Sequence, residues 1–145
     1  MNAVILYDRF EFAVKAGAML RRVAERADET VHWVVMPWRL DILEMPAAAE
    51  QALAEAAGAH LILLAMRQAD SLAAWLLDWL ERWAKRRQIM AAALAMWVGG
   101  AGNTVFGGTT PELSTFAERH GLILVRSDEG IARARGPHSH WGINE

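Results

Sequence analysis

Five short apolar runs alternate along this chain with stretches whose apolar residues recur every three or four positions, and few folds accept that rhythm. Val4 to Tyr7, Val31 to Met36, His60 to Met66, Ala91 to Val98 and Leu122 to Arg126 are the apolar runs. Each has the pattern of a strand buried on both faces. After the first run, Phe12, Ala16, Met19, Leu20, Val23 and Ala27 form one helical stripe, with Glu11, Lys15, Arg21, Arg22, Glu25 and Arg26 outside it. Pro37 ends the second run, and Pro46 opens an Ala-rich helix that stops at Gly58. Asp70 or Ser71 caps a third helix reaching about Arg87. Thr110 and Pro111 start a fourth, with Thr109 and Glu112 spaced as a capping box and Gly121 at its end. Strands that are apolar throughout and alternate with helices predict a parallel sheet covered on both faces. Right-handed crossovers make it a doubly wound α/β sheet of five parallel strands.

At this length the expected strand order is 2-1-3-4-5. Over residues 1–126 the rhythm of strands and helices resembles flavodoxins and response-regulator receivers, a resemblance of architecture that carries no activity with it. That gives an α/β domain at 1–126 and a C-terminal tail at 127–145. The flavodoxin-like order implies a fifth helix after the fifth strand, beside the first helix. Here that segment is Ser127-Asp128-Glu129-Gly130-Ile131-Ala132-Arg133-Ala134-Arg135-Gly136-Pro137, with Ile131 its only large apolar residue. The last helix is therefore expected to be short or missing, and the tail, a second copy or a partner to fill the uncovered strip. Trp-Arg-Leu-Asp at 38–41, a Trp-rich third helix and the ending Trp-Gly-Ile-Asn-Glu at 141–145 together resemble a group of small uncharacterised bacterial proteins. That resemblance implies no activity.

Composition narrows the function classes. Lys and Arg number 15 against 17 Asp and Glu, a net charge of −2, so no general basic face for nucleic acid is expected. There is no Cys, which excludes disulfides, thiol catalysis and Cys-based metal centres. The amino terminus lacks the basic region of a signal peptide, and no run reaches the length of a membrane span, so a cytoplasmic protein is expected.

In a doubly wound sheet ligands sit beyond the carboxyl ends of the strands. The residues expected there include Asp8, Arg39, Asp41, Arg67 and Asp70. They make either an anion-binding site, with Asp8 as its acid–base group, or a set of caps and solvated ion pairs. Receiver chemistry is not matched. Arg9 follows Asp8 where a second acid would serve Mg²⁺, Met66 and Arg67 stand where the phosphorylated Asp would end strand three, and Gly99 and Arg126 replace the hydroxyl and Lys positions. A receiver-like chain of this kind is a pseudo-receiver. The loop after strand one, Asp8-Arg9-Phe10-Glu11-Phe12, carries two acids where a flavin phosphate would lie, so no cofactor is expected. Gly99 to Gly108 has P-loop glycine spacing, but Gly108 stands at the Lys position. His138 and His140 lack a third ligand, so no metal is expected.

Seven Trp remain to be placed. Trp38 and Arg39 either clamp a partner, or Trp38 folds back over the sheet edge while Arg39 pairs with Asp41. Trp75, Trp79 and Trp83 form one helical stripe beside Leu72, Leu76 and Leu80. Leu76, Leu77 and Leu80 would suffice to pack the sheet, so the Trp stripe is either a surplus, interface-forming face or a bulky core helix. Trp141 and Ile143 put apolar bulk at the terminus. The resulting expectation is a non-catalytic interaction or regulatory module, homodimeric, docking through Trp38, Trp75, Trp79, Trp83, Trp141 and Ile143 to protein partners. The alternative is an enzyme or sensor for a small anion at the strand ends.

Overall fold

The computed structural model describes residues 1–26, 33–67, 72–98, 105–106 and 110–125. The elements are β1 (Asn2–Tyr7), α1 (Phe10–Arg26), β2 (Val34–Arg39), a 3-10 turn (Leu40–Glu44), α2 (Pro46–Ala56), β3 (Leu61–Met66), α3 (Ala74–Arg86), β4 (Ala93–Val98), β5 (Val105–Phe106), α4 (Pro111–His120) and β6 (Ile123–Val125). Five strands are parallel and run in the order β2-β1-β3-β4-β6. With β6 as the fifth parallel strand this is the expected 2-1-3-4-5 α/β arrangement. β5 is a two-residue addition, antiparallel to the end of β4 through Trp97 with Phe106 and Val98 with Val105. It lies in what reads by sequence as an unpaired Gly-rich loop.

Alternation along the strands builds two apolar layers. Val4, Leu6, Ile62, Leu64, Leu94 and Met96 face α2, α3 and α4. Ala3, Ile5, Leu61, Leu63, Ala93, Ala95 and Trp97 face the side of α1. Both layers are buried, which makes the apolar run of each central strand continuous rather than alternating. The segment expected to hold a reduced fifth helix, 127–145, lies outside the described residues.

Several boundaries differ from the sequence expectation. β2 runs through Pro37 to Arg39 instead of ending before the proline. The reason is its place at the sheet edge. The N–H of Val34 is donated inward to the Met1 carbonyl at 2.8 Å, so Met36 and Trp38 also point their N–H inward. Position 37 then faces the open edge, where the missing N–H of proline costs no ladder bond. α3 is preceded by Ala73 in extended conformation, not by Asp70 or Ser71. Leu72, just upstream, is drawn into the core and delays the helix. α4 is capped by the buried Thr110, whose hydroxyl accepts the Leu113 N–H at 3.2 Å, and Thr109 lies outside the described residues. Gly121 closes it in the left-handed region at φ 67°, a conformation that suits glycine. No helix among the described residues is long and apolar enough to cross a membrane.

Candidate functional site

The strand register sets Tyr7 of β1 beside Arg39 of β2 and Ala65 of β3, so Asp8, Arg39 and Arg67 lie on three adjacent strand ends. Asp8 donates its N–H to the Ala65 carbonyl at 3.2 Å and accepts the Arg67 N–H on Oδ2 at 2.9 Å. Its carboxylate thus latches β1 to the end of β3. Arg39 donates to Asp41 at 2.7 Å, with both side chains more than half exposed. An ion pair so open to water contributes little stability, at most about 1 kcal/mol. The Arg39–Asp41 pair and the Asp8 latch are two separate, internally satisfied units. Asp70 lies outside the described residues.

Trp38 and Arg39 do not form one clamp. They are consecutive residues of β2, so they point to opposite faces of the sheet. Trp38 packs with the α2 side and donates its indole N–H to Glu55 at 2.9 Å.

The Trp stripe of α3 is mostly core. Trp79 and Trp83 are buried, at 1% and 0% exposure, and this corrects the expectation that they form an interface. Their spacing of one turn lets each indole N–H reach α2, Trp79 to the Ala49 carbonyl at 3.1 Å and Trp83 to the Ala56 carbonyl at 2.8 Å. The buried face of α2 is Ala49, Ala52, Leu53 and Ala56. So many small residues leave volume that leucines from α3 alone would not fill, and the two indoles occupy it. Trp75, a turn earlier, is half-buried and borders an open cavity of about 300 Å³ with Leu43, Pro46 and Asp78. A groove of about 560 Å³ between α3 and α4 is floored by Leu77 and Phe116.

Ion pairs tie the helices of this layer. Glu50 of α2 takes Arg82 and Arg86 of α3, and hydrogen bonding to Arg86 holds its carboxyl below the usual range. Glu81 of α3 accepts from Arg119, and from His120 at 2.8 Å. A carboxylate neighbour favours imidazolium, yet burial, followed by repulsion from Arg119, Arg87 and Lys85, holds the His120 pKa below 6.5. Among the described residues no group of three or more His, Asp or Glu is placed to hold a metal ion. His138, His140, Trp141 and Ile143 lie outside those residues.

One surface escaped the sequence reading. Phe10 and Val14 on α1 are 64% and 53% exposed. Their four-residue spacing, continued by Ala18, was the available signal, since it runs separately from the Phe12–Ala16–Met19 stripe. No protein-family model matches this chain, and no curated protein or solved structure shows significant similarity to it.

Proposed function

We propose that the chain is a non-catalytic, receiver-like interaction module of the bacterial cytoplasm that acts as a homodimer and docks through apolar surface. The observation that carries this reading is a contrast between two regions. The strand-end acids have partners, Asp8 the Arg67 backbone N–H and Asp41 the Arg39 guanidinium, while Phe10 and Val14 are more than half exposed on α1. Large apolar groups left adjacent in solvent mark contact surfaces. Trp75 and the tail residues Trp141 and Ile143 belong to the same reading as further contact residues. Met66 at the end of β3 and Arg9 after Asp8 support the pseudo-receiver assignment, because neither offers an oxygen to a phosphoryl group or to Mg²⁺.

The second reading is an anion site at the strand ends. It is favoured by the register that gathers Arg39 and Arg67 at one edge, both exposed. A native mass spectrum of the untagged protein separates the two. A dimer at twice 16.1 kDa supports the interaction module, and a monomer carrying a reproducible small-molecule mass supports the anion site and sinks the first reading.

A further inference from the structure

We propose that a second copy of this chain docks antiparallel along the outer side of α1, with Val14 at the two-fold axis. The inference rests on the interaction-module reading and gives it a surface. The sheet-facing side of α1 is Phe12, Ala13, Ala16, Met19 and Leu20, all buried. At about 100° per residue, Phe10, Val14 and Ala18 fall on a separate stripe turned away from the sheet, with the buried Gly17 on its border.

That stripe tapers. Phe10 is bulky and 64% exposed, Val14 is intermediate in size and 53% exposed, and Gly17 has no side chain. Gly17 itself is buried, but a methyl group placed on it would meet no atom within 4 Å, so a shallow opening lies above it. A two-fold contact needs a surface complementary to itself. An antiparallel pair centred on Val14 sets Phe10 of each copy over Gly17 and Ala18 of the other, bulk against opening, with Val14 meeting Val14. A parallel pair would set Phe10 on Phe10 and leave the glycines facing each other.

Charge points the same way. Asp8 and Glu11 lie at the start of α1, whereas Lys15, Arg21 and Arg22 follow towards its end, all exposed. Antiparallel docking brings Glu11 towards Lys15 of the second copy, and Asp8 towards Arg21 and Arg22 of the second copy. It also opposes the two helix dipoles. Arg9 is the one cation at the acidic end, and it precedes the first helical residue. Strand addition at the β2 edge is interrupted by Pro37. One helix pair is a small contact, so the dimer is expected to be weak and concentration-dependent.

The chain contains no Cys, so a single introduced cysteine can form a disulfide only between two chains. Under mild oxidation the full-length Val14→Cys protein is expected to become a covalent dimer. Met90→Cys, at a site 68% exposed and away from α1, is expected to stay monomeric at the same concentration. Phe10→Asp, and Gly17→Leu by filling the opening, should each weaken the native dimer by about tenfold or more. Far-UV circular dichroism should be unchanged in both. Equal coupling of Met90→Cys and Val14→Cys would overturn the proposal. So would a native dimer unaffected by Phe10→Asp, which would leave the interaction-module reading standing on another surface. A wild-type monomer carrying a bound small molecule would remove both.

Discussion

Replacing Trp83 by Ala decides whether the Trp-rich helix is core or contact surface. Trp83 is fully buried and donates its indole N–H to the Ala56 carbonyl at 2.8 Å. Ala56 is the last residue of α2, and its carbonyl also accepts the Ala59 N–H at 2.9 Å, so truncation of Trp83 leaves it one partner. Truncation removes the ring, opens a cavity against the small residues of α2 and deletes that hydrogen bond. Trp→Ala losses in cores run to about 3–5 kcal/mol, of which the hydrogen bond contributes about 1 kcal/mol. Whole-domain stability is about 5–15 kcal/mol, so the variant should be severely weakened. In a domain of this size each kcal/mol moves the melting temperature by about 2–4 °C, which puts the expected fall at about 6–20 °C. Trp83→Phe keeps most of the volume and loses the donor, so about 1–2 kcal/mol is expected. Urea unfolding followed by far-UV circular dichroism is the assay, because six other Trp would blur fluorescence. A loss below about 1 kcal/mol for Trp83→Ala, accompanied by loss of the dimer, would refute the core assignment.

Other perturbations test separate parts of the structure. His60 accepts the Asn2 N–H on Nδ1 at 3.1 Å, and burial, then the charged amino terminus, hold its pKa below 6.5. A base with a lowered folded pKa binds fewer protons folded than unfolded. The urea midpoint should therefore be level above pH 7 and fall as pH drops through about 6.5, with His120 adding to the trend, and a flat profile would contradict this. Thr110→Ala should cost about 1 kcal/mol by removing the cap on the Leu113 N–H, measured in the same unfolding assay. Gly121→Ala, forced to φ 67°, should cost about 1 kcal/mol where an exposed Gly→Ala change would ordinarily stabilise. Arg39→Ala should change stability by less than about 0.5 kcal/mol, because its pair with Asp41 is exposed. A larger loss would show that Arg39 does more than pair.

Most of the architecture was legible because it rests on periodicity. Continuous apolar runs at 4–7 and 60–66 have one stable home, a sheet covered on both faces, and crossover handedness orders the strands. The details that escaped depend on context a single residue type does not carry. Pro37 reads as a strand terminator, and only an edge position makes it tolerable. Trp79 and Trp83 fit either a surplus face or a bulky core helix by sequence, because the choice depends on the neighbouring helix. The alanines of α2 create the space, and they lie about 30 residues upstream of the indoles that fill it. Trp38 and Arg39 read as one loop, whereas strand alternation separates them by the thickness of the sheet. At the strand ends Asp8, Arg39 and Arg67 lie on adjacent strands, but that Asp8 takes the Arg67 backbone N–H and Arg39 takes Asp41 depends on distances no sequence gives. Phe10 and Val14 were hidden beside a stronger stripe on the same helix.

The most direct test of the account is sedimentation velocity of the untagged full chain from about 1 to about 100 µM, with Phe10→Asp alongside, since a self-associating surface must respond to concentration. The account predicts a wild-type boundary that moves towards the dimer as concentration rises, and a variant that stays monomeric. A wild-type chain that sediments as a monomer throughout that range would contradict it.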